Sequence, residues 1–349
     1  MNLSLSFLLL AFLALIFPAA AQETDTATTP ESSFCVSVWY PSSEHPGGYD
    51  SLMDNLDVID VVHPFWYNPA PDGGLLATNG AEDPEKLAAW REAGLLILPS
   101  IFSGISHVIM DETVREAHIQ TITETVVRFD YDGIDIDYEG FALNTREPFS
   151  AFVEGLSAAL HAEGKLLYVT VHPKTDDAGA WEATAAQDWA RISAAADVVN
   201  IMTYDYTSRN EPPGPISPNA WVSDVLGYAE TMGGVAHFRV GLPFYGYGWT
   251  RGRPPASAIT YEAVMRTVET FGLETTRDPE SGEIVAELKQ RGLPSRTVYL
   301  EDAQSVSNRL TPVIDLYHSL GGAAIWGIGG EDPALWDVLR DLRPAQCEF

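Results

Sequence analysis

Eight short apolar runs alternate with amphipathic segments along most of this chain, and no other feature restricts its fold as much. The runs are Cys35–Tyr40, Val58–Tyr67, Leu95–Ile101, Gly133–Glu139, Leu166–His172, Val198–Tyr206, Arg239–Tyr245 and Ala323–Ile328. Between them lie helix-like stretches such as Glu112–Phe129 and Pro148–Ala162. Strands that alternate with helices build βαβ units and a parallel sheet. Eight such units fit the α/β class, as a (β/α)8 TIM barrel, better than an open sheet. An open dinucleotide-binding sheet would carry Gly-x-Gly-x-x-Gly after its first strand, and none follows Tyr40. A barrel of this kind takes about 250 residues. The chain has 349, and we place the barrel at 34–345. The surplus falls between the seventh and eighth runs, at about 250–320, and reads as a small α+β insertion.

The ends carry separate signals. Residues 3–17 read LSLSFLLLAFLALIF and are followed by Pro-Ala-Ala-Ala. This run is short for a bilayer span and ends in an Ala-x-Ala site, so 1–21 is expected to be a signal peptide cleaved after Ala21. No Lys or Arg precedes the run, which leaves an uncleaved anchor as the alternative. Residues 22–33 are polar, rich in Thr and Ser, and expected to be a disordered lead-in. The chain is then secreted, periplasmic or in the cell envelope, with no membrane association once processed. The two cysteines, Cys35 and Cys347, sit at opposite ends of the folded region. Export favours a disulfide between them over two buried thiols.

Charge narrows the partners. Twenty Lys+Arg stand against 49 Asp+Glu, a net charge of −29. Phosphate backbones need a basic face, so nucleic acid is excluded as a partner of the usual kind. With 46% hydrophobic residues the chain is not disordered. Nothing in the sequence asks for a cofactor, and no His/Cys cluster points to structural zinc. A monomer is expected.

In a barrel the chemistry sits at the C-terminal ends of the strands. The fourth run reads Asp132-Gly-Ile-Asp135-Ile-Asp137-Tyr-Glu139. Side chains alternate along a strand, so Asp135, Asp137 and Glu139 share one face, opposite Ile134, Ile136 and Tyr138. Three carboxylates aligned inside a barrel are costly to bury. A metal site or a satisfied buried network is compatible with them. Hard cations gather ligands from several loops, however, and a network needs no three acids in a row. Catalysis is the better reading, with no metal required. Crowded carboxylates cannot all ionise cheaply, so one should hold a proton near neutral pH. Glu139, outermost, is the natural holder, and a protonated carboxyl is what a leaving glycosidic oxygen needs.

The spacing Asp132-x-x-Asp135-x-Asp137-x-Glu139 resembles the DxxDxDxE signature of glycoside hydrolase family 18, the chitinase family. Met202-Thr203-Tyr204-Asp205 is similar to that family's Met-x-Tyr-Asp. Gly241-Leu-Pro-Phe-Tyr245-Gly-Tyr-Gly-Trp249 is similar to its Gly-x-Pro-x-Tyr-Gly segment, and Trp326 stands where it carries a tryptophan under the reacting sugar. The resemblance implies a retaining, substrate-assisted hydrolysis, a known exception to the two-carboxylate scheme. It implies that Glu139 is the acid and base, that Asp137 holds the acetamide N–H, and that Asp135 shares a proton or hydrogen bond with Asp137. Tyr204 would bond the acetamide, Asp205 and Met202 would meet the sugar, and Trp326 would floor it. Trp66, Tyr67, Tyr245 and Trp249 are further candidates for sugar contact, although aromatics at such places are often packing. The partner implied is an N-acetylated polysaccharide.

The third run ends Pro99-Ser-Ile-Phe-Ser-Gly104 and lacks the usual Ser-x-Gly-Gly. Pro212-Pro-Gly-Pro-Ile-Ser-Pro218 and Val298-Tyr-Leu-Glu301-Asp302 look like the spore-cortex and peptidoglycan-processing branch. Chitin and peptidoglycan both stay open. So do a non-catalytic lectin-like barrel and an endoglycosidase acting on N-glycans.

Overall fold

The computed structural model describes residues 34–41, 47–103, 107–289, 291–343 and 347. The expected signal peptide and lead-in lie outside the described residues. Eight parallel strands close on themselves: β1 (Cys35–Tyr40), β2 (Val61–Pro69), β3 (Leu96–Ile97, resuming at Ser100–Ser103), β4 (Gly133–Tyr138), β5 (Leu166–Val171), β6 (Val198–Ile201), β7 (Phe238–Pro243) and β8 (Gly322–Trp326). Closure is made by β1, which pairs with β8 at Cys35↔Gly322 and with β2 at Trp39↔His63. Gly322 takes φ +145°, and any Cβ there would collide with the Cys35 carbonyl, so the seam needs glycine.

Each strand is buried on both faces, which is why the runs read as continuously apolar. Outward residues of β4, Ile134, Ile136 and Tyr138, are fully buried under the helices. Each is worth roughly 1.5–3 kcal/mol of apolar burial. Tyr138 is fixed further by its hydroxyl, which donates to His118 Nε2 at 2.6 Å, while His118 Nδ1 bonds the Gly73 carbonyl at 2.8 Å. Inside, Val61, Leu98 and Tyr168 plug the barrel below its acidic layer.

Two expectations shift. The sixth run is a strand only over four residues, Val198–Ile201. Beyond it the Thr203 N–H reaches back to the Ile201 carbonyl and the Tyr204 N–H to that of Met202, both at 2.8 Å, so the chain curls out of the ladder. The insertion is an antiparallel five-stranded sheet from Gly246–Thr250 to Arg296–Leu300, with the helix Tyr261–Phe271 packed on it. It ends earlier than 320, because the helix Ala303–Leu316 packs on Asn219–Glu230 and Ala334–Leu342 as part of the barrel's outer layer. Cys35 and Cys347 are joined by a disulfide, their Cα atoms 5.0 Å apart. It staples the first strand to the end of the chain. Among the described residues no helix is long and apolar enough to cross a membrane.

Candidate functional site

Tyr138, locked outward against His118 and Phe152, fixes the phase of β4. Its neighbours Asp135, Asp137 and Glu139 therefore face the barrel axis. Asp135, lowest, is fully buried and saturated with donors. Its Oδ2 accepts from Trp39 Nε1 at 3.0 Å and Ser100 Oγ at 2.6 Å, and its Oδ1 from Thr170 Oγ1 at 2.9 Å. These three donors come from β1, β3 and β5, and the charge of Asp135 is felt by Asp137 above it.

Asp137 is the contrary case. It is 4% exposed, and its Oδ1 is buried without a partner. Burial first, then Glu139 and Asp135, hold its carboxyl well above the usual range. Glu139, at the open end, is raised by burial and then by Asp205. The pair is thus set to keep a proton at pH values where ordinary carboxylates have lost theirs.

The turn after β6 brings a second group to the same space. Tyr204 is half-buried, and burial together with Asp137 and Glu139 raises its hydroxyl well above its ordinary value, so it stays a donor. Its ring passes close over β7. A Cβ on Gly241 would come within 2.9 Å of Tyr204 Cε1 and collide with the Ile201 carbonyl, so only glycine fits. Asp205 follows in the left-handed region at φ 57°. Its carboxylate accepts from Tyr245 at 2.5 Å and Tyr247 at 2.8 Å. Desolvation raises it and the two hydroxyls lower it. More than a third of its surface stays open, so the desolvation is that of a concave wall.

Asp137, Glu139, Tyr204 and Asp205 line a cleft of about 1490 Å³. Met202 and Trp326 also line it. Trp326 packs against Phe65 at 5.2 Å and edge-on to Trp39 at 6.3 Å between ring centroids, which makes a continuous apolar floor. Tyr67 borders the cleft but is buried in the core, its hydroxyl donating to Glu82 at 3.0 Å and lying 3.0 Å from that of Tyr131. Lys174 is the single Lys or Arg among the described lining residues, and its ammonium donates to the Gln187 carbonyl at 2.7 Å. Asp137 and Glu139 therefore have no cation acting on them, whereas Arg209 acts on Asp205. His172 is lowered to about 4 by burial, which keeps it neutral.

Three expected sugar contacts are corrected. Trp66 is fully buried and stacks on Trp90 at 5.8 Å, outside the barrel wall. Phe65 takes the cleft side and Trp66 the opposite one, and the register against β3 shifts between Phe65 and Tyr67. Trp249 is likewise fully buried, its indole N–H donating to the Glu211 carbonyl at 2.8 Å. Tyr245 does not line the cleft and acts on it through Asp205. Sequence reasoning missed Trp39, Ser100 and Thr170, the donors to Asp135, and Tyr247, the second donor to Asp205. It also missed Trp181 and Tyr206, which line the cleft and are 52% and 53% exposed. For Tyr247 a signal existed, since it alternates with Tyr245 in the seventh segment.

The chain resembles several known proteins. It is 26% identical over 255 residues to a cortical fragment-lytic enzyme of Bacillus anthracis, covering 70% of this chain and 59% of that protein. It thus spans less than two thirds of that relative. It is 28% identical over 275 residues to chitinase A1 of Niallia circulans, covering 65% of this chain and 38% of the other. Its fold matches a chitinase from Chromobacterium violaceum, with a TM-score of 0.82, 23% identity, and coverage of 90% of this chain and 100% of that one. It also matches the spore cortex-lytic enzyme SleL of Bacillus cereus, with a TM-score of 0.79, 22% identity, and coverage of 89% and 74%. The family model "Glycosyl hydrolases family 18" aligns with residues 82–331, and on that match the chain belongs to the glycosyl hydrolases of family 18.

Proposed function

We propose that the protein hydrolyses β-1,4 linkages in an N-acetylglucosamine-containing polysaccharide, chitin or peptidoglycan, outside the cytoplasm. One observation carries the chemistry. Two adjacent carboxyls, both raised by burial, face an open cleft floored by Trp326 and lined by no free ammonium or guanidinium among the described residues. A neutral sugar chain suits that lining better than a polyanion. The cell-wall assignment draws support from relatives named cortical fragment-lytic enzymes and chitinases.

The reaction is retaining and assisted by the substrate. The 2-acetamido oxygen bonds to the anomeric carbon as the glycosidic C–O bond breaks. Glu139 gives its proton to the leaving oxygen. Asp137, whose Oδ1 is otherwise unpartnered, accepts from the acetamide N–H and stabilises the oxazolinium charge, while Tyr204 donates to the acetamide oxygen. Glu139, now a carboxylate, takes a proton from the water that opens the ring. Trp326 stacks on the sugar's apolar face. The 1–21 leader takes the chain out of the cytoplasm.

Glu139→Gln is the test. Turnover of chitin oligomers and of purified peptidoglycan, read by mass spectrometry side by side, is expected to fall at least about 10³-fold on both. Oligosaccharide affinity should change by less than about threefold. Wild-type turnover by the variant sinks the mechanism.

A further inference from the structure

The turn that carries Tyr204 and Asp205 is tied to the inserted sheet by a chain of buried groups. Glu283 precedes the inserted strand Ile284–Leu288 and is fully buried. Its carboxyl does not face the cleft. Instead Oε1 accepts from the backbone N–H groups of Ile216 and Ser217, each at 2.9 Å, and Oε2 from Ile216 at 3.0 Å. Ser217 Oγ in turn donates to the Thr203 carbonyl at 2.6 Å, and Thr203 Oγ1 donates to the Gly241 carbonyl at 2.7 Å. The Thr203 carbonyl belongs to the same peptide plane as the Tyr204 N–H, so Ser217 sets the orientation of the residue that bears the phenol. The strands of the connection meet again at Tyr206, whose N–H donates to the Ile216 carbonyl at 2.9 Å.

Glu283 is itself held in place. Asp278 Oδ1 accepts from the N–H groups of Glu280 and Ser281 at 2.9 Å, shaping the turn before it, and the Glu280 carbonyl accepts from the Asn219 N–H at 3.2 Å. Burial and the neighbouring Glu301 push Glu283 up to about 8, while Arg309 and the two backbone donors pull the other way. Its acceptor role needs no charge, because both oxygens keep lone pairs when one carries a proton.

We propose that Glu283, acting through Ser217, is a positioning residue for Tyr204, so that the inserted sheet holds the reacting turn in register with the β4 acids. This rests on the glycosidase reading above. It makes the insertion part of the catalytic framework, not only a wall of the cleft. Two anchors from one sheet then converge on one turn, since Tyr247 of the strand Gly246–Thr250 holds the Asp205 carboxylate.

A double-mutant cycle tests it. Ser217→Ala removes the hydroxyl that orients the Thr203 peptide and leaves the Glu283 bonds to backbone intact. Steady-state hydrolysis of N-acetylglucosamine oligomers is measured for wild type, Ser217→Ala, Tyr204→Phe and the double variant. Ser217→Ala should lower kcat about tenfold with KM within about twofold, and should lower it less than about twofold in the Tyr204→Phe background. An equal loss in both backgrounds, or an unchanged kcat, overturns the proposal. If near-UV circular dichroism finds Ser217→Ala unfolded, Glu283→Met enters the same cycle, because it removes the acceptor of the Ile216 and Ser217 N–H groups, and the same two outcomes decide. Glu139→Gln runs beside it as control. Retained activity there defeats the glycosidase reading itself, a result distinct from additivity in the cycle.

Discussion

At the mouth of the barrel, Asp137, buried, and Glu139, half-buried, are acids with no cation beside them, opening on a cleft. Under the inserted sheet, Glu283 and Glu301 are buried acids closed off from solvent, with Arg309 against Glu301 at 2.5 Å and both of those side chains fully buried. Burial raises the carboxyls in both places. The difference lies in what else they touch. The inner pair is held by the Arg309 guanidinium as an ion pair, by Ser305 and by backbone N–H groups, and although Glu301 Oε1 makes no hydrogen bond of its own, it is shut away from any ligand and works as a scaffold. The outer pair leaves Asp137 Oδ1 unpartnered at a surface where a ligand's N–H can complete it. A raised carboxyl therefore marks chemistry only where access and an unmet hydrogen bond accompany it.

Breaking the inner set should cost stability. Arg309→Met leaves Glu301 buried without its cation and should lower the unfolding free energy by about 3–5 kcal/mol, measured by urea titration. Adding Glu301→Gln should recover most of it, since the uncompensated charge causes the loss. Breaking the outer set should cost activity instead. Asp137→Asn should lower kcat by about 10²–10³-fold with little change in urea midpoint. A large stability loss in that variant would erase the distinction between the two sets.

An effect of similar size comes from pH. Glu283 titrates at about 8 in the fold against an ordinary 4.5. The folded state therefore binds more protons across that window. Its contribution to stability is complete below 4.5 and is lost as pH rises through 8. Urea titrations between pH 5 and 9 should show stability falling with pH, and Glu283→Gln should flatten the slope.

How far the sequence could be read follows from the range of each interaction. The acidic face of β4 was legible because period-two alternation is local, and Ile134, Ile136 and Tyr138 mark the other face. The same rule is a weaker guide in β2, whose register shifts between Phe65 and Tyr67, and the structure puts Trp66 against Trp90. The donors to Asp135 were illegible. Trp39, Ser100 and Thr170 come from three other strands, and only register brings them to one carboxylate. The disulfide of Cys35 to Cys347 was legible from compartment and count, without any knowledge of distance. The tie from Glu283 to Ser217 spans 66 residues and carries no local pattern.

The most direct test of the outer set is the pH dependence of kcat/KM for wild type and Asp205→Asn. Glu139 is raised by burial and by Asp205. The limb on which wild-type activity falls with rising pH should therefore lie above the ordinary glutamate value of 4.5. Removing the charge of Asp205 should move that limb down. A wild-type limb at the ordinary glutamate value, or one that stays in place in Asp205→Asn, would contradict the assignment of Glu139 as the proton donor.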